Sequence, residues 1–275
     1  MENKSVVSRQ RLKLKSRRMV RRVLPFVAAL FMATPLAAPV TPSKAAASVK
    51  THVPSVAFTK AHIFDQKLHD LYRDLQVENQ GLRFEVFEKA MTGYLNLEKD
   101  GKIGDKEMLT VVDFGLPSTE KRLWVLDLES KQVKFHTLVA HGHNSGENMA
   151  TNFSNENESN MSSLGFYVTE GEYVGKHGRS LKLAGLDEGY NTNALMRSVV
   201  MHGADYVSED FIRQNGRLGR SLGCPALPMD QKDAIIESIG GQTTMFINGP
   251  DTRYSSKYLN EEVAMSTLLN TNQMI

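Results

Sequence analysis

Leu68, Leu71, Tyr72 and Leu75 recur at three- and four-residue spacing, and so do Phe84, Phe87, Met91 and Tyr94, with Gly81 between the two sets. That period predicts two amphipathic helices within residues 61–97. Beyond Met108 the pattern shortens to β-type runs: LTVVDFG (109–115), RLWVLDL (122–128), QVKFHTLVAHG (132–142), LGFYVTEGEYVG (164–175), LMRSVVMHG (195–203) and TTMFING (243–249). Turn residues such as LPSTEK and LESKQ separate them. One later helix is expected, with Asp230 as its N-cap, Ile235, Ile236 and Ile239 on one face, and Gly240 as its stop. KDGKIGDKE (99–107) lacks the acid-x-acid-x-acid ladder of a calcium loop and reads as a turn. Strands do not alternate with long helices, which argues against a doubly wound α/β fold. The expected class is mainly β (α+β): an antiparallel β-sandwich or barrel carrying a small helical N-terminal segment. HNSGENMATNFSNENESNMSS (143–163) has six asparagines and no apolar period. A structureless stretch of that length is expected to form a lid or rim.

The first 47 residues have a different texture. Residues 1–22 carry nine Lys/Arg and one acid, an apolar run follows from Val23 to Val40, and small residues come next, with an Ala-x-Ala pattern at Ala45 and Ala47. Basic, apolar and small zones in that order predict a cleaved secretory leader over 1–47. Pro25, Pro35 and Pro39 interrupt the apolar run and argue against a stable membrane span. The pair Arg17-Arg18 is compatible with twin-arginine export. The expected organisation is then a leader (1–47), a linker (48–60), a helical segment (61–108), a β-rich domain (109–250) and a C-terminal tail (251–275), forming a monomer in the periplasm or cell envelope.

The leader also accounts for the basic balance. The chain has 33 Lys+Arg and 31 Asp+Glu, and without residues 1–47 it keeps 23 basic and 30 acidic residues, a net charge of −7. Nothing in that balance favours nucleic acid or an anionic membrane as a partner.

The chain has one cysteine, Cys224, in SLGCPA. Exported proteins mostly use cysteines in pairs, so a lone one points to an intermolecular link or a reactive thiol. A thiol becomes a nucleophile when a base takes its proton. Of the eight histidines, His52, His62 and His69 lie in the linker and helical segment, and His136 alternates within a strand. His141, His143, His177 and His202 remain. His202 follows the buried-strand run SVVM, and Gly203 ends that strand, so an imidazole is delivered to an edge where a loop returns to Cys224. Gly216, Gly219 and Gly223 allow tight turns near the thiol, and Pro225 biases Cys224 toward an extended conformation. Ser221 could orient the site, the amides of Gly223 and Cys224 could face an oxyanion, and Arg217 or Arg220 could grip a carboxylate.

HGA at 202–204 followed by GRSLGCPA at 219–226 resembles the signature of the murein L,D-transpeptidase catalytic domain family, the YkuD-type cysteine transpeptidases. VVDFGLPSTEKRLWVLDL, LVAHGHNSG and SSLGFY extend the resemblance over roughly 109–250. The resemblance implies an L,D-transpeptidase-like fold, with Cys224 as acyl-accepting nucleophile, His202 as general base and no cofactor or metal. It implies peptidoglycan stem peptides as substrates, cross-linked through a Cys thioester. Ser221 and Gly223 fall in the signature, and Gly203, Arg217 and Arg220 are placed beside the substrate. The chain departs from the family at Leu222, where many members have a second histidine, and at Pro225-Ala226, where many have an arginine nearby. Two other outcomes of the same chemistry or fold stay open, hydrolysis of stem peptides as a carboxypeptidase or endopeptidase, and a non-catalytic cell-wall binding module. A zinc site built from His141 and His143 with His177, His202 or Cys224 is the alternative from another class.

Overall fold

The computed structural model describes residues 56–270, so the expected leader at 1–47 lies outside the described residues. Three helices form one layer: α1 (Val56–Asp74), α2 (Phe84–Lys99) and α5 (Glu261–Asn270). Two short helices, α3 (Glu209–Asn215) and α4 (Lys232–Ile239), interrupt the strand region. The strands are β1 (Met108–Asp113), β2 (Leu123–Asp127), β3 (Gln132–Thr137), β4 (Gly165–Gly175), β5 (Gly178–Gly185), β6 (Val200–Gly203), β7 (Ala226–Leu227) and β8 (Thr244–Asn248). They make one sheet in the order β3-β2-β1-β8-β4-β5-β6-β7. The α+β class with a helical N-terminal segment is therefore observed. Two pairings, β1 with β8 and β6 with β7, are parallel within an otherwise antiparallel sheet. Among the described residues no helix is long and apolar enough to cross a membrane.

The sheet comes close to closing on itself. Beyond β3 the chain runs on to the opposite edge, where Ala140 bridges Ala226 and Gly142 bridges Ser221. The bonds are short: Ala140 N to Ala226 O at 2.9 Å, Ser221 N to His141 O at 3.0 Å, and His143 N to Ser221 O at 2.7 Å. Edge strands leave unpaired amides and carbonyls, and closure removes them.

The central strands are buried on both faces, which explains their nearly continuous apolar runs. Leu109 and Val111 of β1, Trp124 and Leu126 of β2, and Phe246 of β8 pack with the helical layer. Their neighbours Val112, Leu123, Val125, Met245 and Ile247 turn to the other face and pack with Tyr167, Leu181, Met201 and the three isoleucines of α4. The alternation follows from the two-residue period of a strand.

Several elements differ from the sequence expectation: among them, the runs at 132–142 and 195–203 are strands only over Gln132–Thr137 and Val200–Gly203. Helix α1 starts at Val56, inside the segment expected as a linker. The expected tail supplies α5, whose Ala264 and Leu268 enter the same core as Leu68 and Phe87. Gln231 rather than Asp230 is the N-cap of α4, without a side-chain cap, because Pro228 O already accepts from the Gln231 and Lys232 amides. Strand β5 was not expected, since Arg179, Ser180 and Lys182 interrupt its apolar residues, and it forms because β4 and β6 flank it.

Gly93 sets how closely α2 approaches the sheet. A Cβ there would stand 2.0 Å from the ring of Phe166, a fully buried side chain with no room to retreat. Gly93→Ala should lose about 1–3 kcal/mol to overpacking, outweighing the gain of about 1 kcal/mol in helix propensity. A fall in melting temperature checks this, and an unchanged or higher one would show that the helix can shift.

Candidate active site

Strand β6 holds His202 between β5, where it pairs with Ser180, and β7, where it pairs with Ala226. The imidazole is 4% exposed. Its Nδ1 lies 2.9 Å from the carbonyl of Gly203. A carbonyl can only accept, so Nδ1 carries the proton and Nε2 keeps the lone pair. Burial holds the His202 pKa below its ordinary value, and nearby His177 and Lys176 add to this. At neutral pH the ring is an uncharged base. His177, at the tip of the β4–β5 hairpin, stacks on it with ring centroids 4.4 Å apart.

The turn carrying the cysteine hangs from the closing bridges. Ser221 organises it: its Oγ donates to Cys224 O at 2.6 Å and accepts from the Gly223 amide at 3.1 Å. Gly223 has φ +120°, and a Cβ would lie 2.8 Å from Met161 O, so both the left-handed backbone and the close approach favour glycine. Ser162 Oγ bonds both ends of the contact, accepting from Gly142 N at 2.9 Å and donating to Gly223 O at 3.3 Å. The asparagine-rich stretch thus packs on the Cys224 turn.

Cys224 is half-buried. Its Sγ accepts from the Val200 amide at 3.4 Å and donates to Ser198 O at 3.7 Å. Thiol and imidazole therefore belong to the same strand pair, each displaced by two residues: Sγ rests on Val200 while His202 pairs with Ala226. Burial pushes the thiol pKa up, and the Val200 amide, Arg197 and Lys176 oppose this. A protonated thiol can give up its proton to a neutral imidazole on the same strand pair as an electrophile approaches.

The other candidates fall around this pair. Arg220 bonds His143 O, Gly146 O and Glu147 Oε1 at 3.2, 3.1 and 2.7 Å, and Arg217 reaches Glu147 Oε2 at 2.8 Å. Both guanidiniums are thus engaged in holding the 143–147 turn. Gly203 anchors the His202 ring, and a Cβ on it would meet Lys232 Cδ at 2.2 Å. The Gly223 amide is occupied by Ser221, which leaves the Cys224 amide of the two expected oxyanion donors. Leu222 is 71% exposed beside the thiol.

His141 has a structural task. Its Nδ1 faces Nη2 of the buried Arg122 at 2.7 Å, so it accepts, and Nε2 donates to Gly146 O at 3.2 Å. Arg122 also donates to the carbonyls of Val139 and Leu116. A guanidinium against Nδ1 opposes a cation there, His143 is exposed, and among the described residues no three His, Cys, Asp or Glu side chains converge as metal ligands. Sequence reasoning kept His177 as a candidate but did not place it on His202, and it missed Arg122 and Arg197. Arg197 precedes the apolar run SVVM and was read as part of that strand, although the strand begins at Val200.

The chain matches the family described as L,D-transpeptidase catalytic domain over residues 78–248. No curated protein matches it. Among solved structures it is similar to an L,D-transpeptidase from Mycobacterium smegmatis, at 12% identity over 52% of this chain and 59% of that one, with a TM-score of 0.34. It is also similar to the helical cell shape determining protein Pgp2 from Campylobacter jejuni, at 13% identity over 64% and 61% with a TM-score of 0.39. A third is an L,D-transpeptidase from Stackebrandtia nassauensis, at 19% identity over 58% and 67% with a TM-score of 0.31. The chain spans about three fifths of the length of the first two.

Two pH effects follow from this geometry. Iodoacetamide should alkylate Cys224 far more slowly at pH 7 than it does a free cysteine, accelerating only in the alkaline range, because burial raises the thiol pKa. Intact mass against time checks this, and rapid labelling at pH 7 would refute a protonated resting thiol. Burial first, then Arg122, draws His141 from 6.5 down to about 4. The unfolded chain thus binds this proton first, so the contribution is full above 6.5 and lost as pH falls toward 4. The loss is on the order of 2–3 kcal/mol. His141→Gln, able to accept from Arg122 and donate to Gly146, should flatten that part of the stability–pH curve, and an unchanged slope would count against it.

Proposed function

The chain belongs to the L,D-transpeptidase catalytic domain family, and on that premise we propose that it is an exported enzyme acting on peptidoglycan stem peptides in the periplasm or cell envelope. In this reading Cys224 is the nucleophile and His202 the general base. The observation that carries it is the β6–β7 register, which pairs His202 with Ala226 while Cys224 Sγ sits on the Val200 amide.

The chemistry follows from the two side chains. Nε2 of His202 takes the S–H proton as sulfur attacks the carbonyl of the L-centre residue of a stem tetrapeptide. The C–S bond forms, and collapse of the tetrahedral species breaks the C–N bond to the terminal D-alanine, whose amine takes the proton from His202. An amine of a second stem then attacks the thioester and gives its proton to His202. The new C–N bond forms, the C–S bond breaks and the thiol is restored. The Cys224 amide faces the developing oxyanion. Ser221 and Gly223 fix the turn, and Arg217 and Arg220 support the substrate side by bracing the 143–147 turn through Glu147.

Purified protein incubated with tetrapeptide muropeptides should give cross-linked dimers by mass spectrometry. Tripeptides alone would identify water as the acceptor, and no product would leave a binding module. Cys224→Ala should abolish turnover and His202→Gln should lower it about 10²–10⁴-fold. A carbapenem should add one covalent mass to the parent protein and none to Cys224→Ala; full turnover in that variant would overturn the assignment.

A further inference from the structure

Arg197 is a half-buried cation packed against the nucleophile turn, and the substrate chemistry above does not use it. Among the described residues it makes no ion pair, although Glu156 acts on it electrostatically from farther away. Its donors are spent on neutral acceptors. Nη1 bonds Ser154 O at 2.7 Å and Ser163 Oγ, and Nη2 bonds Ser159 Oγ at 3.1 Å and Met161 O at 2.7 Å. All four belong to the asparagine-rich segment. A guanidinium ringed by dipoles keeps a full, uncompensated charge.

That charge faces the thiol's turn. A Cβ on Gly223 would lie 3.3 Å from Arg197 Nη2, so the guanidinium packs against the residue before the cysteine. The next residues wrap the sulfur. Ser198 holds the left-handed conformation, φ 55°, and so turns its carbonyl to the S–H while the Val200 amide points at the same atom. A non-glycine residue held there marks a segment whose path is dictated by its surroundings. When the proton leaves, the Ser198 contact is lost, and the Val200 amide and the nearby cation remain for the thiolate.

We propose that Arg197 is the charge partner of the Cys224 thiolate and, through the same guanidinium, the latch that holds residues 154–163 against the nucleophile turn. It is a positioning residue with two tasks on one fork: the charge supports the ionised sulfur, and the N–H groups hold the rim in place. The other groups acting on the thiol are Lys176 at the hairpin tip and Tyr206, whose phenol burial pushes up to about 12 and keeps neutral, while His202 lies two residues along the neighbouring strand from Val200. Removal of Arg197 therefore leaves Lys176 as the remaining cation.

The test is alkylation of Cys224 by iodoacetamide, followed by intact mass across about pH 7 to 10 on the full chain. It is combined with hydrogen exchange of residues 154–163 and with thermal melting to verify folding. Loss of a nearby charge moves a thiol pKa by about 1 pH unit. R197Q should therefore alkylate about tenfold more slowly on the rising limb. R197K keeps the charge and loses the fork, so it should label within about twofold of the parent while exchange of 154–163 quickens. S159A removes the Oγ that accepts from Arg197 Nη2 and from the Met161 amide, and no charge, so it should quicken exchange at 154–163 beyond the Met161 amide itself with the labelling profile unchanged. Labelling of R197Q at or above the parent rate, or of R197K as slow as R197Q, overturns the charge half. Should R197Q not fold, R197K decides that half alone: labelling within twofold of the parent supports it. Unchanged exchange in both R197K and S159A overturns the latch half. The inference rests on Cys224 as nucleophile, yet alkylation reads the thiol directly. A flat Arg197 effect with intact carbapenem adducts sinks the inference alone, and missing adducts with a normal Arg197 effect sink the acyl-enzyme reading alone.

Discussion

A sheet of eight strands ends in two edges whose amides and carbonyls need partners, and in this protein residues 140–143 take them to each other. The stretch leaves β3, crosses to the far edge and bonds residues 221 and 226, with Ser221 in the middle of the exchange. Hydrogen bonds left unmade at a buried edge are costly, so the closure is strongly specified. The thiol depends on it. Cys224 stands between the two bridged positions, and its turn has little freedom once both ends are fixed.

The closing segment is held by a buried cation bonded to neutral groups. Arg122 lies under it, shared among the carbonyls of Val139 and Leu116 and the ring of His141. Burial lowers its pKa to about 9, still above neutral pH, so the charge persists and polarises each acceptor. Arg197 does the same for the neighbouring 154–163 segment. Arg217 and Arg220 are paired instead, because Glu147 reaches both from the exposed rim. Pairing makes those two arginines braces. The same residue type takes two roles according to whether a carboxylate is within reach.

Much of the framework was legible in the sequence because it rests on period. The 3–4 spacing of Leu68, Leu71 and Leu75, and of Phe84, Phe87 and Met91, marks faces that are buried in the structure. The runs at 109–115, 122–128 and 243–249 became β1, β2 and β8 because strands buried on both faces must be apolar throughout. What was not legible had mixed chemistry. β5 interleaves Arg179 and Lys182 with Leu181 and Leu183, and only its neighbours on either side make it a strand. Helix α5 has no strong local signal and forms against α2.

The site divides along the same line. A lone thiol after glycine and before proline, and an imidazole at the end of an apolar strand, are local facts, and their types and positions are read directly from the chain. Which groups surround them is not local. Ser198 and Val200 reach the sulfur, Gly203 fixes the tautomer of His202, and Glu147 draws Arg217 and Arg220 away from a free carboxylate grip. The sequence by itself determined the two candidate residues for the proposed chemistry, because reactivity begins with atom type. Only the tertiary structure decided which cation faces the thiol and which merely braces the rim, because charge acts through distance and burial, and both are properties of the closed sheet.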